Sequence, residues 1–167
     1  MSNSRLFPRF LPEFLSAKFI IIPHQLRAPF RRCSGTMKPL ILIIEDDTTL
    51  SEAMAETLGD LGCRVLRTEC AEEGLRLALE KKPSLVLCDV VLPDGAGFDT
   101  VSALRANPVT ATTPVILMTG HQEESNYNGA GKSMLLLKPF SLDMLVEVVR
   151  GTLAARGIVL KREALAA

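Results

Sequence analysis

The chain has 167 residues, of which 19 are basic and 19 acidic, so its formal net charge is zero. This length fits one well-filled domain better than two. Residues 1–36 hold six Lys and Arg against the single acid Glu13, which leaves the rest of the chain mildly acidic. Because phosphate backbones are bound by clustered Lys and Arg, this balance argues against a nucleic-acid surface on the main body. The apolar stretch 14–22 is interrupted by Lys18 and is too short to span a membrane.

Residues 1–36 differ in composition from everything that follows. They hold five of the seven Phe and four of the ten Pro, and no helical or strand period runs through them. An Arg-rich, acid-poor composition is typical of a peptide that targets a protein to an organelle, although the prolines would interrupt an amphipathic helix. We favour the alternative that Met37 is the true start and that residues 1–36 are a poorly ordered or over-extended leader.

Five short runs after Met37 predict the strands of a parallel sheet. A strand that is buried on both faces has a short continuous apolar sequence rather than an alternating one. The predicted strands are Leu40–Ile44, 64–67, Leu85–Asp89, 115–118 and Met134–Leu137.

Helical patterns fill the intervals between these strands. The sequence Thr49-Leu50-Ser51-Glu52 has the form of a capping box and predicts the start of the first helix. A second helix is predicted at 71–82, where Pro83 stops it. The loop 92–97, rich in Pro and Gly, leads to a third helix.

The fourth interval is different from the others. Residues 121–132 are polar and rich in Asn and Gly, so any helix there is predicted to be short and weak. Ser141 is the expected N-cap of the last helix. Strands that alternate with helices through short loops predict an α/β fold, a flavodoxin-like (βα)5 unit with a doubly wound, five-stranded parallel sheet in a single domain. This domain is expected at 37–157, followed by a short C-terminal tail at 158–167.

The cysteines show no CxxC pair and no spacing of metal ligands. One of them lies inside a predicted strand, where it would be buried. We therefore interpret them as reduced thiols of a cytoplasmic protein. They are Cys33, Cys63, Cys70 and Cys88.

Polar side chains stand at the ends of four predicted strands. Glu45 and Asp46 follow the first, Asp89 ends the third, Thr119 follows the fourth and Lys138 follows the fifth. Parallel strands place their carboxyl ends at one edge of the sheet, where α/β proteins bind ligands. Several carboxylates aimed at one point repel each other unless a hard cation such as Mg²⁺ lies among them. The sequence therefore predicts a metal beside a reactive Asp.

The ordered set of motifs resembles the response-regulator receiver family, the CheY-like domains, over about residues 38–156. Acids and Lys end many strands, so each motif alone is weak, but the set in this order and spacing is specific. The motifs are Ile44-Glu45-Asp46-Asp47, Asp89-Val90-Val91-Leu92-Pro93 with Gly97, Met118-Thr119-Gly120 and Lys138-Pro139-Phe140.

The resemblance implies roles in phosphoryl transfer for three residues. Asp89 would accept a phosphoryl group from the phosphohistidine of a partner histidine kinase or histidine phosphotransfer protein. Lys138 would pair first with the Asp89 carboxylate and then with its phosphoryl oxygens. Thr119 would donate its hydroxyl to the phosphorylated form and pull its own loop inward.

The resemblance also implies a Mg²⁺ site. Asp46 and Asp89 would ligate the metal, with the backbone carbonyl of Val91 as a third ligand and Glu45 acting mainly through a bound water. We expect Asp47 to be a helix cap or a surface acid rather than a ligand.

Three features depart from the family pattern. Leu135 stands where the family usually has an aromatic residue that moves with the Thr, so that coupling is not expected here. The segment between Thr119 and Lys138 is shorter than is common, which predicts output through a local loop or another face. Val91 cannot hydrogen-bond a hydrolytic water, which predicts slow self-dephosphorylation, whereas His121 could either orient that water or block it.

Few residues follow the last helix, and we expect a stand-alone receiver that docks on a downstream protein as a monomer or a phosphorylation-dependent dimer. Such a protein is not an enzyme beyond its own phosphorylation and dephosphorylation. The alternatives are a pseudo-receiver that binds partners without phosphorylation and a small Asp-dependent phosphatase. A flavodoxin-type module shares the topology, but no Gly-rich loop follows Ile44 to hold a phosphate.

Overall fold

The computed structural model describes residues 38–120 and 133–160. Four helices and seven strands lie within these ranges. In chain order they are β1 (Leu40–Ile44), α1 (Thr48–Asp60), β2 (Arg64–Thr68), α2 (Ala71–Lys81), β3 (Leu85–Asp89), β4 (Val91–Leu92), β5 (Gly95–Ala96), α3 (Gly97–Ala106), β6 (Val115–Thr119), β7 (Met134–Leu137) and α4 (Leu142–Ala154).

Some predictions fall outside the described residues. These are the leader at 1–36, the weak helix at 121–132 with His121, and most of the tail. Of that predicted tail, Ile158 and Leu160 are described, and both are partly buried against the core. None of the helices at 38–120 and 133–160 combines the length and apolar character needed to cross a bilayer.

Five strands form one parallel sheet in the order β2-β1-β3-β6-β7. The prediction of a doubly wound, five-stranded parallel sheet is therefore confirmed. The chain moves outward from β1 to β2 and then returns to the other side of β1 with β3. At such a reversal the carboxyl ends of two neighbouring strands form a crevice, which is where this class of sheet holds its ligands.

The core has two layers, one on each face of the sheet. Ile41 and Ile43 pack with residues of α1 and α4, whereas Leu42 and Ile44 pack with residues of α2 and α3. Successive residues of a strand point to opposite faces of the sheet, and helices cover both faces. All four side chains are therefore buried. This double burial is the physical reason that the sequence of β1 is continuously apolar.

The first helix does not begin with the predicted capping box at Thr49, and that prediction is wrong. The helix begins one residue earlier, and Asp47 is its N-cap, with a carboxylate that accepts a hydrogen bond from the Leu50 N–H at 3.0 Å. Glu52, the acid of the predicted box, instead pairs with Arg67 at 3.4 Å. An Asp that precedes the helix satisfies the free N–H groups of its first turn directly.

The other predicted helix ends agree with the structure. Ser141 caps α4 by accepting a hydrogen bond from the Met144 N–H at 3.2 Å. After α1 the chain turns at Gly62, whose φ of 85° is the left-handed conformation that glycine adopts most easily. After α2, Lys82 takes a similar conformation with φ of 50°, directly before Pro83.

The loop at 92–97 is more ordered than the sequence predicted, because β4 and β5 pair antiparallel in a short hairpin. The Gly97 N–H donates to the Val90 carbonyl at 2.8 Å and closes the base of this hairpin. A Cβ atom at Gly97 would overlap the carbonyl oxygen of Asp89. The hairpin can therefore fold back over the end of β3 only because position 97 has no side chain.

We predict that Gly97→Ala destabilises the protein by about 1–3 kcal/mol, because the new methyl group meets backbone that cannot move aside easily. Gly59→Ala is the matched control, since nothing lies within 4 Å of a Cβ added there. It lies in a helix and should stabilise the protein by about 0.5–1 kcal/mol. Chemical denaturation measures both changes, and equal effects of the two variants would contradict the assignment.

Candidate functional site

Three carboxylates meet at the crevice between β1 and β3. Ile44 pairs with Cys88 in the sheet register, so the residues that follow them are neighbours. Glu45, Asp46 and Asp89 each offer an oxygen atom, and these atoms all lie within 4.8 Å of one another. The convergence predicted for these acids is therefore observed.

Lys138 follows β7, the last strand in the order of the sheet, and its ammonium group contacts these acids. Its Nζ donates to both carboxylate oxygens of Glu45 at 2.8 Å and to Oδ2 of Asp89 at 2.7 Å. The pairing with Asp89 was predicted, but the pairing with Glu45 was not. The Lys138 backbone N–H donates to the Thr119 carbonyl at 2.7 Å, and the Lys138–Pro139 peptide bond is cis.

The site lies largely out of water. Glu45 is 1% exposed and Asp89 is 7% exposed, whereas Asp46 is exposed. Thr119, also buried, ends β6 beside Asp89, whose strand pairs with β6 one residue earlier. All the side chains predicted to form the site therefore lie at one edge of the sheet.

Burial sets the charge state of Glu45. The pKa of Glu45 is raised to about 7, mainly by loss of solvation and also by repulsion from Asp89, against the opposing effect of the Lys138 ammonium. Burial also acts to lower the pKa of Lys138, but its hydrogen bonds to Asp89 and Glu45 outweigh this and raise the pKa overall. One ammonium group thus contacts two buried carboxyl groups. Because it cannot balance both negative charges, the site favours the binding of an additional cation.

The donor set fits Mg²⁺. All three acids supply carboxylate oxygens, the hard ligands that this ion prefers. Asp46 makes no hydrogen bond or ion pair with another described residue, so its exposed carboxylate is available as a ligand. Both oxygens of Glu45 are already bound to Lys138, which is compatible with an indirect contact through water.

Val91 borders the carboxylate of Asp89. Its backbone N–H donates to Oδ1 of Asp89 at 3.3 Å, while its side chain is 63% exposed. Leu135, at the position where an aromatic residue is usual, is buried in the core layer that contains Leu92 and Leu117. The Val91 side chain is therefore in contact with water, whereas the Leu135 side chain belongs to the core.

Cys88 lies directly before Asp89 on β3. It is fully buried, and its thiol donates to the Asp89 carbonyl at 3.2 Å. Burial and, to a smaller extent, the negative charge of Asp89 raise the pKa of this thiol to about 12. The thiol is therefore protonated at physiological pH.

One contact near the site was not predicted from the sequence. Asp94, at the tip of the hairpin, accepts hydrogen bonds from the Ala71 N–H at 2.8 Å and the Glu72 N–H at 3.0 Å, both in the first turn of α2. These two bonds lower the pKa of Asp94. Cys70, the N-cap residue of α2, makes no side-chain capping bond. A cysteine at the N-cap position is a poor cap. It was the signal in the sequence that another residue must accept hydrogen bonds from the free N–H groups of the first turn of α2.

We predict that, without metal, the wild type becomes less stable relative to the Glu45→Gln variant as the pH rises from about 4.5 to about 7. The folded-state pKa of Glu45 lies above its ordinary value of 4.5, so its contribution is fully present below that value and is lost as the pH passes 7. The difference in unfolding free energy should change by roughly 2–3 kcal/mol. Urea denaturation in EDTA at several pH values measures it, and a constant difference would contradict the assignment.

Comparison with known protein families matches residues 41–150 to the response regulator receiver domain. This match covers more than half of the chain, so the chain belongs to the response-regulator receiver family. Members of this family are signalling domains of two-component systems, which interact with histidine kinases and with downstream targets.

Individual relatives agree with this assignment. Protein PilH of Pseudomonas aeruginosa is 31% identical over 117 residues, which cover 68% of this chain and 97% of PilH. The structure of a CheY-like response regulator receiver domain protein from Methanospirillum hungatei is 25% identical, with a TM-score of 0.64, and the match covers 72% of this chain and 98% of that one.

Two further comparisons bear on the metal and on chain length. The receiver domain of the sensor histidine kinase PA1611 from Pseudomonas aeruginosa shares the fold, with 24% identity, a TM-score of 0.64 and a match over 71% of this chain and 99% of that one. Its structure has a magnesium ion coordinated in the active-site cleft. The chain spans about half the length of the transcriptional regulators that it matches.

Proposed function

We propose that this chain is the phosphoacceptor receiver of a two-component or phosphorelay system. In this proposal Asp89 accepts a phosphoryl group from the phosphohistidine of a partner histidine kinase or histidine phosphotransfer protein. The observation that carries the proposal is the 2.7 Å contact between the Lys138 ammonium and the Asp89 carboxylate, at the edge where Glu45 and Asp46 converge.

The transfer is a nucleophilic displacement at phosphorus. A carboxylate oxygen of Asp89 attacks, the bond from phosphorus to the partner's imidazole nitrogen breaks, and the electron pair stays on that nitrogen. Lys138, held by Glu45, fixes the orientation of the Asp89 carboxylate beforehand. Once Asp89 carries the phosphoryl group as an acyl phosphate, the same ammonium donates to a phosphoryl oxygen and offsets its charge.

Asp46 and Asp89 would hold Mg²⁺ directly, the Val91 carbonyl would be a third ligand, and Glu45 would act through water. When bound, Mg²⁺ neutralises charge on the transferring oxygens and aligns them for in-line displacement. Support for this ligand set comes from the clustering of the three acids and from the position of the Val91 backbone beside Asp89.

The output is a changed protein-binding surface. The Thr119 hydroxyl would donate to the phosphoryl group and draw the end of β6 toward Asp89, which alters the surface offered to a downstream protein. Leu135 has no polar group or ring to follow this movement, so the change does not pass through an aromatic side chain. The protein acts as a monomer or a phosphorylation-dependent dimer.

The same proposal excludes catalytic turnover and places the chain in the cytoplasm. It catalyses at most its own phosphorylation and dephosphorylation. The cytoplasmic location is supported by its free thiols at Cys63, Cys70 and Cys88, since reducing compartments keep such thiols unpaired.

Incubation with acetyl phosphate and Mg²⁺ should add the mass of one phosphoryl group to the protein, and Asp89→Asn should abolish that gain. Intact mass spectrometry measures it. Asp143→Asn is the control, because it removes an exposed carboxylate from the first turn of α4 and should leave the gain unchanged. An unmodified wild type would favour the pseudo-receiver, and steady turnover of p-nitrophenyl phosphate would favour the phosphatase.

We predict that Val91→Asn shortens the lifetime of the phosphorylated protein severalfold. The position is exposed beside Asp89, and an amide can hydrogen-bond the attacking water where Val cannot. The decay of phosphoprotein after removal of acetyl phosphate measures the lifetime. Val91→Ala is the control for side-chain size and should stay slow, because it adds no polar group. Equal decay of Val91→Asn and wild type would refute the proposed role of the apolar side chain.

A further inference from the structure

We propose that Asp94 is a positioning residue of the metal site, which fixes the hairpin β4–β5 by tying its tip to the start of α2. The inference rests on the proposed function, because the hairpin matters to the metal only if the Val91 carbonyl is a ligand. Asp94 itself is not proposed as a ligand.

The hairpin is held at its base and along one arm. At the base, the Val90 N–H donates to the Met118 carbonyl at 2.9 Å and the Gly97 N–H donates to the Val90 carbonyl at 2.8 Å. Along the arm, Leu92 is buried in the core, whereas Val91 points into water. These contacts set how deep the hairpin lies, but they do not fix the direction of its tip.

Asp94 supplies the contact that holds the tip. Its two carboxylate oxygens accept from the Ala71 and Glu72 N–H groups, one each. Both donors belong to the positive end of the helix dipole, and hydrogen bonds to a charged acceptor are stronger than neutral ones.

The helix that receives this contact is itself fixed to the strand that carries the acids. A Cβ atom added at Gly74 would overlap the side chain of Ile44, so α2 lies directly against β1. Glu45 and Asp46 follow Ile44 in the sequence. A closed path of contacts and chain segments therefore connects the two ends of the site. It leads from Asp46 through β1 and α2 to Asp94, and from Asp94 along the hairpin to Asp89. Through this path, Asp94 sets the position of the Val91 backbone relative to Asp46.

The path also makes metal binding and the start of α2 interdependent. If Asp94 holds the hairpin in the geometry that binds the metal, then the metal must by reciprocity stabilise the contact of Asp94 with α2. The Ala71 and Glu72 amides should then exchange with solvent more slowly when Mg²⁺ is bound.

The test is the Mg²⁺ affinity of purified protein by isothermal titration calorimetry. Asp94→Ala should weaken binding about tenfold, the lower end of the range for residues that orient metal ligands. Asp94→Asn should give an intermediate value, since its amide oxygen can accept one of the two hydrogen bonds. Glu80→Gly is the control, because it weakens α2 at an exposed position about two turns beyond the residues that contact Asp94, and it should lower the melting temperature without changing the Mg²⁺ affinity.

Amide exchange by NMR is the second measurement. Mg²⁺ should slow the exchange of the Ala71 and Glu72 amides in the wild type and leave it unchanged in Asp94→Ala. If Asp94→Ala melts earlier but binds Mg²⁺ like the wild type, Asp94 only caps α2 and the inference is overturned. An equal loss of affinity in Glu80→Gly also overturns it.

Failure of the proposed function has a different signature. A wild type that binds Mg²⁺ but gains no phosphoryl group from acetyl phosphate would contradict the proposed function, while the affinities of the Asp94 variants would still decide the inference. A wild type that binds no Mg²⁺ overturns the inference together with the metal ligand set.

Discussion

The site depends on one ammonium group shared by two buried carboxylates. Lys138 contacts Glu45 and Asp89 at 2.7 to 2.8 Å, and both acids are almost fully removed from water. Two unpaired carboxylates in such a place would be costly, and a buried Lys without partners would lose its proton. Each group therefore makes the burial of the others possible. The arrangement holds the Asp89 carboxylate in one orientation without covering Asp46, which is exposed to solvent.

The topology of the sheet brings these groups together over long distances in sequence. Lys138 follows β7 at one edge of the sheet, and its side chain extends past β6 to reach the ends of β3 and β1. The reversal of strand order between β1 and β3 opens the crevice between their ends. Gly97 then lets the hairpin fold back over Asp89. Three features of the fold therefore form the site. They are the parallel order of the strands, the reversal of strand order between β1 and β3, and the absence of a side chain at Gly97.

The sequence predicted those parts of the site that depend on local pattern. Continuous apolar runs located the strands, and the polar residue after each run located the site, because parallel strands share an edge. The contact of Glu45 with Lys138 could not be predicted, since it depends on how far a side chain extends across the sheet. The contact of Asp94 with α2 joins residues 22 and 23 positions apart and follows no local rule. The error at Thr49 arose because both Asp47 and Thr49 are residue types that cap helices, and the sequence pattern alone does not choose between them.

The burial of Cys88 has a consequence for the chemical stability of β3. Only the thiolate form of a cysteine is readily alkylated or oxidised. With its pKa raised to about 12 and no exposure to solvent, Cys88 stays in the unreactive form. Peroxides and electrophiles would therefore encounter Cys70, which is exposed, before they could damage the residue next to Asp89. The burial that surrounds Asp89 therefore also protects the neighbouring cysteine from oxidation.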